Sequence, residues 1–191
     1  MQESIIDLIN DSIRNFSNIS KNRAQVLLIE QIANTIIDAY NNDCKLLLCG
    51  NGGSASDAQH IAAELSGRFE IDREPLNAEA LHVNSSYLTA VANDYGYEEV
   101  YARMVKAAGK NGDVLLALST SGNSSNVLKA IEQANHIGMT TIGFSGNDGG
   151  KMNEICKYNL IIPSSNTARI QEAHILVGHI ICKLIEQKIF K

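Results

Sequence analysis

Residues 113–124 read Asp-Val-Leu-Leu-Ala-Leu-Ser119-Thr120-Ser121-Gly122-Asn123-Ser124. A short apolar run, of a length suited to a buried strand, stops abruptly at six small polar residues. An amphipathic helix then opens at about Ser125, with Val127, Leu128, Ala130, Ile131 and Ala134 as its apolar positions. A strand that hands hydroxyls and free backbone N–H groups to a helix N-terminus makes an anion cradle. The donors converge, the helix dipole favours negative charge, and small side chains admit close approach. No Gly-Lys-Ser/Thr follows, so this is not the nucleotide P-loop. The ligand class it points to is a phosphate ester carried by a small molecule.

Strand and helix patterns alternate on either side of this stretch. Amphipathic helices are predicted over residues 3–16 and 22–40, before the first strand. A strand follows at 45–49, a Gly-rich turn at 50–54, with Ser54 as candidate N-cap, and a helix at 55–67. A weaker strand is read near 78–83, with helices at 86–92 and 98–108. Strand 114–118 leads into helix 125–136, strand 140–144 into a Gly-rich loop at 146–150, and strand 158–162 into a last helix at 167–187. Such alternation gives an α/β fold with a doubly wound, five-stranded parallel sheet flanked by helices. Ligands of such sheets bind beyond the carboxyl ends of the strands, the edge at which turns 50–54 and 119–124 both fall. No linker or repeat interrupts residues 1–191, so a single domain is expected. The N-terminal helices, about 3–40, stand outside the alternating core and are candidates for an oligomer interface.

Composition narrows the function classes. The 191 residues carry a net charge of −5 and no long Lys/Arg cluster, which disfavours a nucleic-acid groove or an anionic membrane surface. The first residues are acidic and amphipathic, unlike a signal peptide. The longest apolar stretch, 175–185, is too short to span a bilayer and is broken by His179 and Lys183. Cys44, Cys49, Cys156 and Cys182 form no Cys-x-x-Cys spacing and read as free thiols, with Cys49 and Cys182 in apolar runs. A cytoplasmic protein is expected.

Several groups could carry chemistry. His60 and Glu64 are four apart on one helix and share a face, as an acid/base pair, two metal ligands or a surface hydrogen bond. Gln171 and His179, eight apart on the last helix, face roughly the same way. Zinc would accept His, Glu and His, with a Gln oxygen as an unusual fourth donor. Asn93-Asp94-Tyr95-Gly96 reads either as a turn with a helix cap or as a ligand contact. The loop 146–150 reads as a connection only.

Five motifs in order then carry a resemblance. Cys-Gly-Asn-Gly-Gly-Ser at 49–54, Asp57-Ala-Gln-His60-x-x-x-Glu64, Ala-Asn-Asp-Tyr-Gly at 92–96, Leu-Ser-Thr-Ser-Gly-Asn-Ser at 118–124 and Arg169-Ile-Gln-Glu-x-His174 resemble the sugar isomerase (SIS) domain family over nearly the whole chain. Within it they are most similar to the phosphoheptose isomerases. The resemblance implies a homotetrameric cytoplasmic enzyme, an aldose–ketose isomerase. It would convert sedoheptulose 7-phosphate to D-glycero-D-manno-heptose 7-phosphate through an enediol, as the first step of nucleotide-heptose biosynthesis for lipopolysaccharide core, capsule or another glycan. It implies Glu64 as general base and His179 as its acid/base partner. Ser119, Thr120, Ser121 and Ser124 would hold the phosphate; Asn51, Gly52, Gly53, Glu64, Asn93, Asp94 and Gln171 would contact the sugar. His60, Glu64, Gln171 and His179 would bind zinc, one ion per subunit.

Two departures stand out. Glu79 falls where the family usually has an apolar residue, and Val83-Asn84 stands where relatives often carry Thr-Asp. Two other readings belong to the same fold: a non-catalytic SIS regulator that binds the replication initiator protein, and an isomerase of another sugar phosphate. Regulators of that kind lose the acid/base residues, whereas Glu64 and His179 are both present here.

Overall fold

The computed structural model describes residues 1–191. Two long helices come first, α1 (Gln2–Lys21) and α2 (Arg23–Asn41), then β1 (Leu46–Gly50), α3 (Gly53–Ser66), β2 (Ala78–Ala80) and α4 (Ser85–Tyr95). A single 3-10 turn, Tyr97–Glu99, leads into α5 (Val100–Ala108). The second half runs β3 (Val114–Leu118), α6 (Ser125–His136), β4 (Thr140–Gly146), α7 (Met152–Ile155), β5 (Tyr158–Ile162) and α8 (Thr167–Ile189).

All five strands are parallel, in the order β2-β1-β3-β4-β5. Winding therefore reverses between β1 and β3. At that switch point the loops leaving the two strands diverge and open a crevice. Strand side chains alternate between two cores. Leu46 and Leu48 of β1 pack with α2, α3 and α8, whereas Leu47 and Cys49 pack with Val91 of α4, Tyr101 of α5 and Val127 of α6. All five residues of β1 are buried, alternately on the two faces of the sheet, which is why the strand reads as an unbroken apolar run.

The sheet matches its sequence expectation, and several boundaries move. The helix expected at 3–16 runs on to Lys21, because Asn22 alone ends α1 and caps α2, its side chain accepting from Ala24 and Gln25 N–H. The strand expected at 78–83 is only Ala78–Ala80. It is an edge strand, so Glu79 points to solvent and needs no apolar side chain. Asn84 accepts from Tyr87 N–H at 3.0 Å and caps α4, the task a neighbouring Asp would do. Helix α4 extends to Tyr95, so Asn93 and Asp94 lie on its last turn and not in a turn after it. Ser54 is not the cap of α3: Gly52 holds that position at φ +56, a conformation that favours glycine, and Ser54 is buried one residue into the helix.

Candidate active site

Helices α3 and α8 run side by side in parallel register. Gly53 faces Gln171, Ile61 faces Gly178, His60 faces His179, and the segment after α3 reaches Glu186. Glycine makes the approach possible. A Cβ added at Gly178 would stand 2.6 Å from Ile61 Cδ1, closer than packed atoms allow. The close crossing there brings the neighbouring residues on each helix together.

His60 Nε2 lies 2.9 Å from Glu64 Oε1 and 3.1 Å from His179 Nε2. The ligand atoms of all three residues lie within 4.8 Å of one another. Two imidazole nitrogens this close cannot face each other lone pair to lone pair, so a proton or a cation belongs between them. Two His and one Glu, with one side open, make the donor set of a catalytic zinc centre, and the three residues fit such an ion. Gln171, the fourth expected donor, is not gathered with them. It precedes His179 by about 12 Å of helix rise, and its amide lies where a Cβ on Gly53 would be 2.7 Å from Nε2. The side chains of His60 and Glu64 are 49% and 25% exposed, so this chain alone does not shield the cluster from water.

The second group sits at the switch point. Ser119 and Ser124 hydroxyls are 2.9 Å apart, and Ser121 Oγ is 3.5 Å from Ser119 Oγ. Helices α2, α4 and α8 each begin with an Asn side chain bonded to their first N–H groups. The helices that begin at the crevice do not. The N-cap of α3 is a glycine, and the Ser124 hydroxyl at the start of α6 turns to Ser119 instead. At α6 the N–H groups of Ser125 and Asn126 are left for an anion, whereas those of Ser54, Ala55 and Ser56 in α3 already donate to Asn51 O and Gly52 O.

The loop 146–150, read from sequence as a connection, instead holds this cradle in shape. Thr120 O accepts from Gly146 N–H at 3.1 Å and from Asn147 Nδ2 at 3.2 Å, and Gly122 O accepts from Met152 N–H at 3.1 Å. A side chain at Gly122 would collide with the Gly149 carbonyl. The loop after β1 is tied in as well. Asn51 and Asn126 exchange reciprocal amide bonds of 2.8 and 2.9 Å, and the buried Tyr101 donates its hydroxyl to Gly50 O. Burial raises the Tyr101 phenol far above its ordinary pKa, as expected of a donor that stays neutral. Asn93 and Asp94 bond to each other at 2.9 Å on the exposed end of α4 and do not reach the cluster. Glu64 itself lies about 16 Å of helix rise from Gly53.

A match to the model of the SIS domain spans residues 9–146, more than half of the chain. The chain belongs to the SIS domain family. It is 48% identical over 190 residues to the phosphoheptose isomerase of Clostridium acetobutylicum, covering all of this chain and 97% of that protein. Among solved structures it resembles the phosphoheptose isomerase of Neisseria gonorrhoeae, with a TM-score of 0.92, 42% identity, and 97% and 98% of the two chains covered. It also resembles the phosphoheptose isomerase of Francisella tularensis, with a TM-score of 0.93, 35% identity and the same coverage.

Structure adds residues to which the motif reading of this SIS domain gave no role. Asp57 lies one turn before His60; burial raises its carboxyl to about 6, with His60 pulling the other way, and its Oδ2 is buried without a partner. Phe69 stacks on the His179 ring, centroid to centroid 5.6 Å and 23° from parallel. Asn126 pairs with Asn51. Phe69 and Asn126 carried no motif signal of their own, and Asp57 stood in the second motif without a role. The cysteines read as free are free, and burial pushes the Cys182 thiol up to about 12, so it stays protonated.

Proposed function

We propose that this chain isomerises sedoheptulose 7-phosphate to D-glycero-D-manno-heptose 7-phosphate, the aldose–ketose step that opens nucleotide-heptose biosynthesis. The observation that carries the reading is the His60–Glu64–His179 cluster in a chain that also has an uncapped, hydroxyl-lined helix start at its switch point. Ser119, Thr120, Ser121 and Ser124 hold the phosphate. Asn51, Gly52, Gly53, Asn93, Asp94 and Gln171 contact the sugar hydroxyls. Glu64 removes the proton from the carbon beside the carbonyl and returns it to the neighbouring carbon. His179 supplies and takes back the proton at the oxygens as the enediol forms and collapses. Binding energy from the phosphate end fixes the reacting carbons. Zinc held by His60, Glu64 and His179 would polarise the carbonyl as a Lewis acid. Within one chain the rise of α8 keeps Gln171 from the three, so a metal role for it would need a neighbouring copy; we assign it first to the sugar.

The site reads as shared between copies. Ile5, Ile6, Leu8, Ile9 and Ile13 of α1 are all more than half exposed, and Ile180, next to His179, is 40% exposed. A groove of about 400 Å³ lined by Phe16, Ile19, Val26, Ile29, Leu176 and Ile180 continues this face. Apolar area of this extent is covered in a working protein. We assign it to a homotetramer whose neighbouring copies supply the missing shield over Glu64. We place this enzyme of sugar-phosphate metabolism in the cytoplasm.

The test is direct. Purified protein with sedoheptulose 7-phosphate should yield the aldose by NMR, and a chelator reports the metal requirement. No conversion with or without added zinc would return the chain to the reading of a non-catalytic SIS regulator.

A further inference from the structure

Helix α3 ends at Ser66, two residues after Glu64, and the last carbonyls of any helix lack partners within it. Arg73 supplies those partners. Its Nη2 donates to Glu64 O at 2.8 Å, and its Nη1 donates to Leu65 O at 2.8 Å and to Gly67 O at 3.2 Å. A guanidinium at a helix C-terminus also meets the negative end of the dipole. Its Nε donates to Glu186 Oε1 at 3.0 Å, and the two side chains are only 2% and 3% exposed.

Glu186 does a second task. Its carboxylate accepts the backbone N–H groups of Phe69 and Glu70, both at 3.0 Å. Burial alone would raise this carboxyl, but those N–H groups and the Arg73 guanidinium outweigh it and hold the pKa below the ordinary value. The segment so fixed lays the Phe69 ring on the His179 imidazole. Phe190 closes the far side, its ring 5.4 Å from the guanidinium. A buried ion pair is a poor source of stability, since well-packed apolar residues often do as well. What this pair supplies is placement.

We propose that Arg73 and Glu186 are positioning residues for the His60–Glu64–His179 cluster. Arg73 fixes the turn of α3 that carries Glu64, and Glu186, through Phe69, fixes the plane of the His179 ring. What the cluster does rests on the isomerase reading; how it is held does not.

Phe69→Leu, Arg73→Lys and Glu186→Gln should each be compared with the wild-type chain by kcat and KM for sedoheptulose 7-phosphate and by the visible absorption of the cobalt-loaded protein. Lysine cannot span the carbonyls and the carboxylate together. The expected result is a fall in kcat of about tenfold or more with KM within about twofold. The cobalt bands should shift or weaken, because the ligands no longer hold one geometry. A merely structural pair would lower the melting temperature and leave both readouts unchanged in the folded variants. If Arg73→Lys and Glu186→Gln do not fold, Phe69→Leu, which leaves the pair intact, decides. A folded Phe69→Leu chain with wild-type kcat and a wild-type cobalt spectrum overturns the proposal. Were the wild-type chain to isomerise nothing, the functional reading would fall and the cobalt spectra would still decide how the cluster is held.

Discussion

His60 and His179 meet Nε2 to Nε2 at 3.1 Å, across two helices that pack Gly178 against Ile61. The pair exists because one helix has no side chain at the crossing. Glu64, 2.9 Å from the same His60 nitrogen, completes a group that a proton or a metal must bridge. Glu64→Gln keeps the shape and removes the base. Turnover should drop by about a hundredfold or more, the usual share of a general base. Circular dichroism should stay unchanged, since Glu64 is a quarter exposed. Near wild-type activity would refute the assignment.

Gly178→Ala tests the crossing itself. The added methyl meets Ile61 Cγ1 at 2.8 Å and must push α8 from α3. Overpacking of this kind costs about 1–3 kcal/mol, to be read by urea denaturation. Activity should fall further than stability, because His179 moves with the helix. A variant as active as the wild type would mean the cluster tolerates that displacement.

Ser124→Ala separates binding from folding. A serine at an N-cap is ordinarily worth about 1 kcal/mol, but here its hydroxyl bonds to Ser119 and not to the helix. The melting temperature should therefore scarcely change, while KM for the sugar phosphate rises about tenfold, the worth of one hydrogen bond to a charged group. An unchanged KM would remove Ser124 from the phosphate site.

His174 is fully buried, its Nε2 3.1 Å from Ser145 O. Burial pushes its pKa down to about 4, with the Ser145 contact pulling the other way. The folded value lies below the unfolded one, so the unfolded chain binds a proton that the folded chain refuses. The stability this contributes is full above about pH 6.5 and is lost as pH falls toward 4, by about 3 kcal/mol. Asp57, raised to about 6, titrates in the opposite sense over part of the same range. The measurement is therefore the difference in pH slope between wild type and His174→Gln in urea denaturation. Equal slopes would contradict the assignment.

Ile6→Asp with Ile9→Asp places two charges on the exposed face of α1. Light scattering should show a wild-type mass of four chains and a smaller species in the variant, with activity lost in parallel. A tetramer that survives these charges would move the interface elsewhere.

The order of elements was written locally. Apolar runs such as 114–118 must be buried strands, and the 3.6-residue rhythm of 125–136 must be a helix, because each pattern buries one surface and no other. Polar breaks after β1 and β3 named the binding edge for the same reason. Boundaries were less legible: Asn22 and Asn84 act as caps, yet Ser54, an equally good capping residue, is buried inside α3 because Gly52 alone takes the required backbone angle. Spacing put His60 and Glu64 on one face, since a helix fixes neighbours four apart. It could not bring His179 to them, part Gln171 from them, or lay Phe69 on His179. Those relations cross more than a hundred residues of chain and depend on the register of two helices, set by Gly178, Gly53 and the Arg73–Glu186 pair. Sequence determined which surfaces must be buried and which groups were available for chemistry. Tertiary packing decided which of those groups touch.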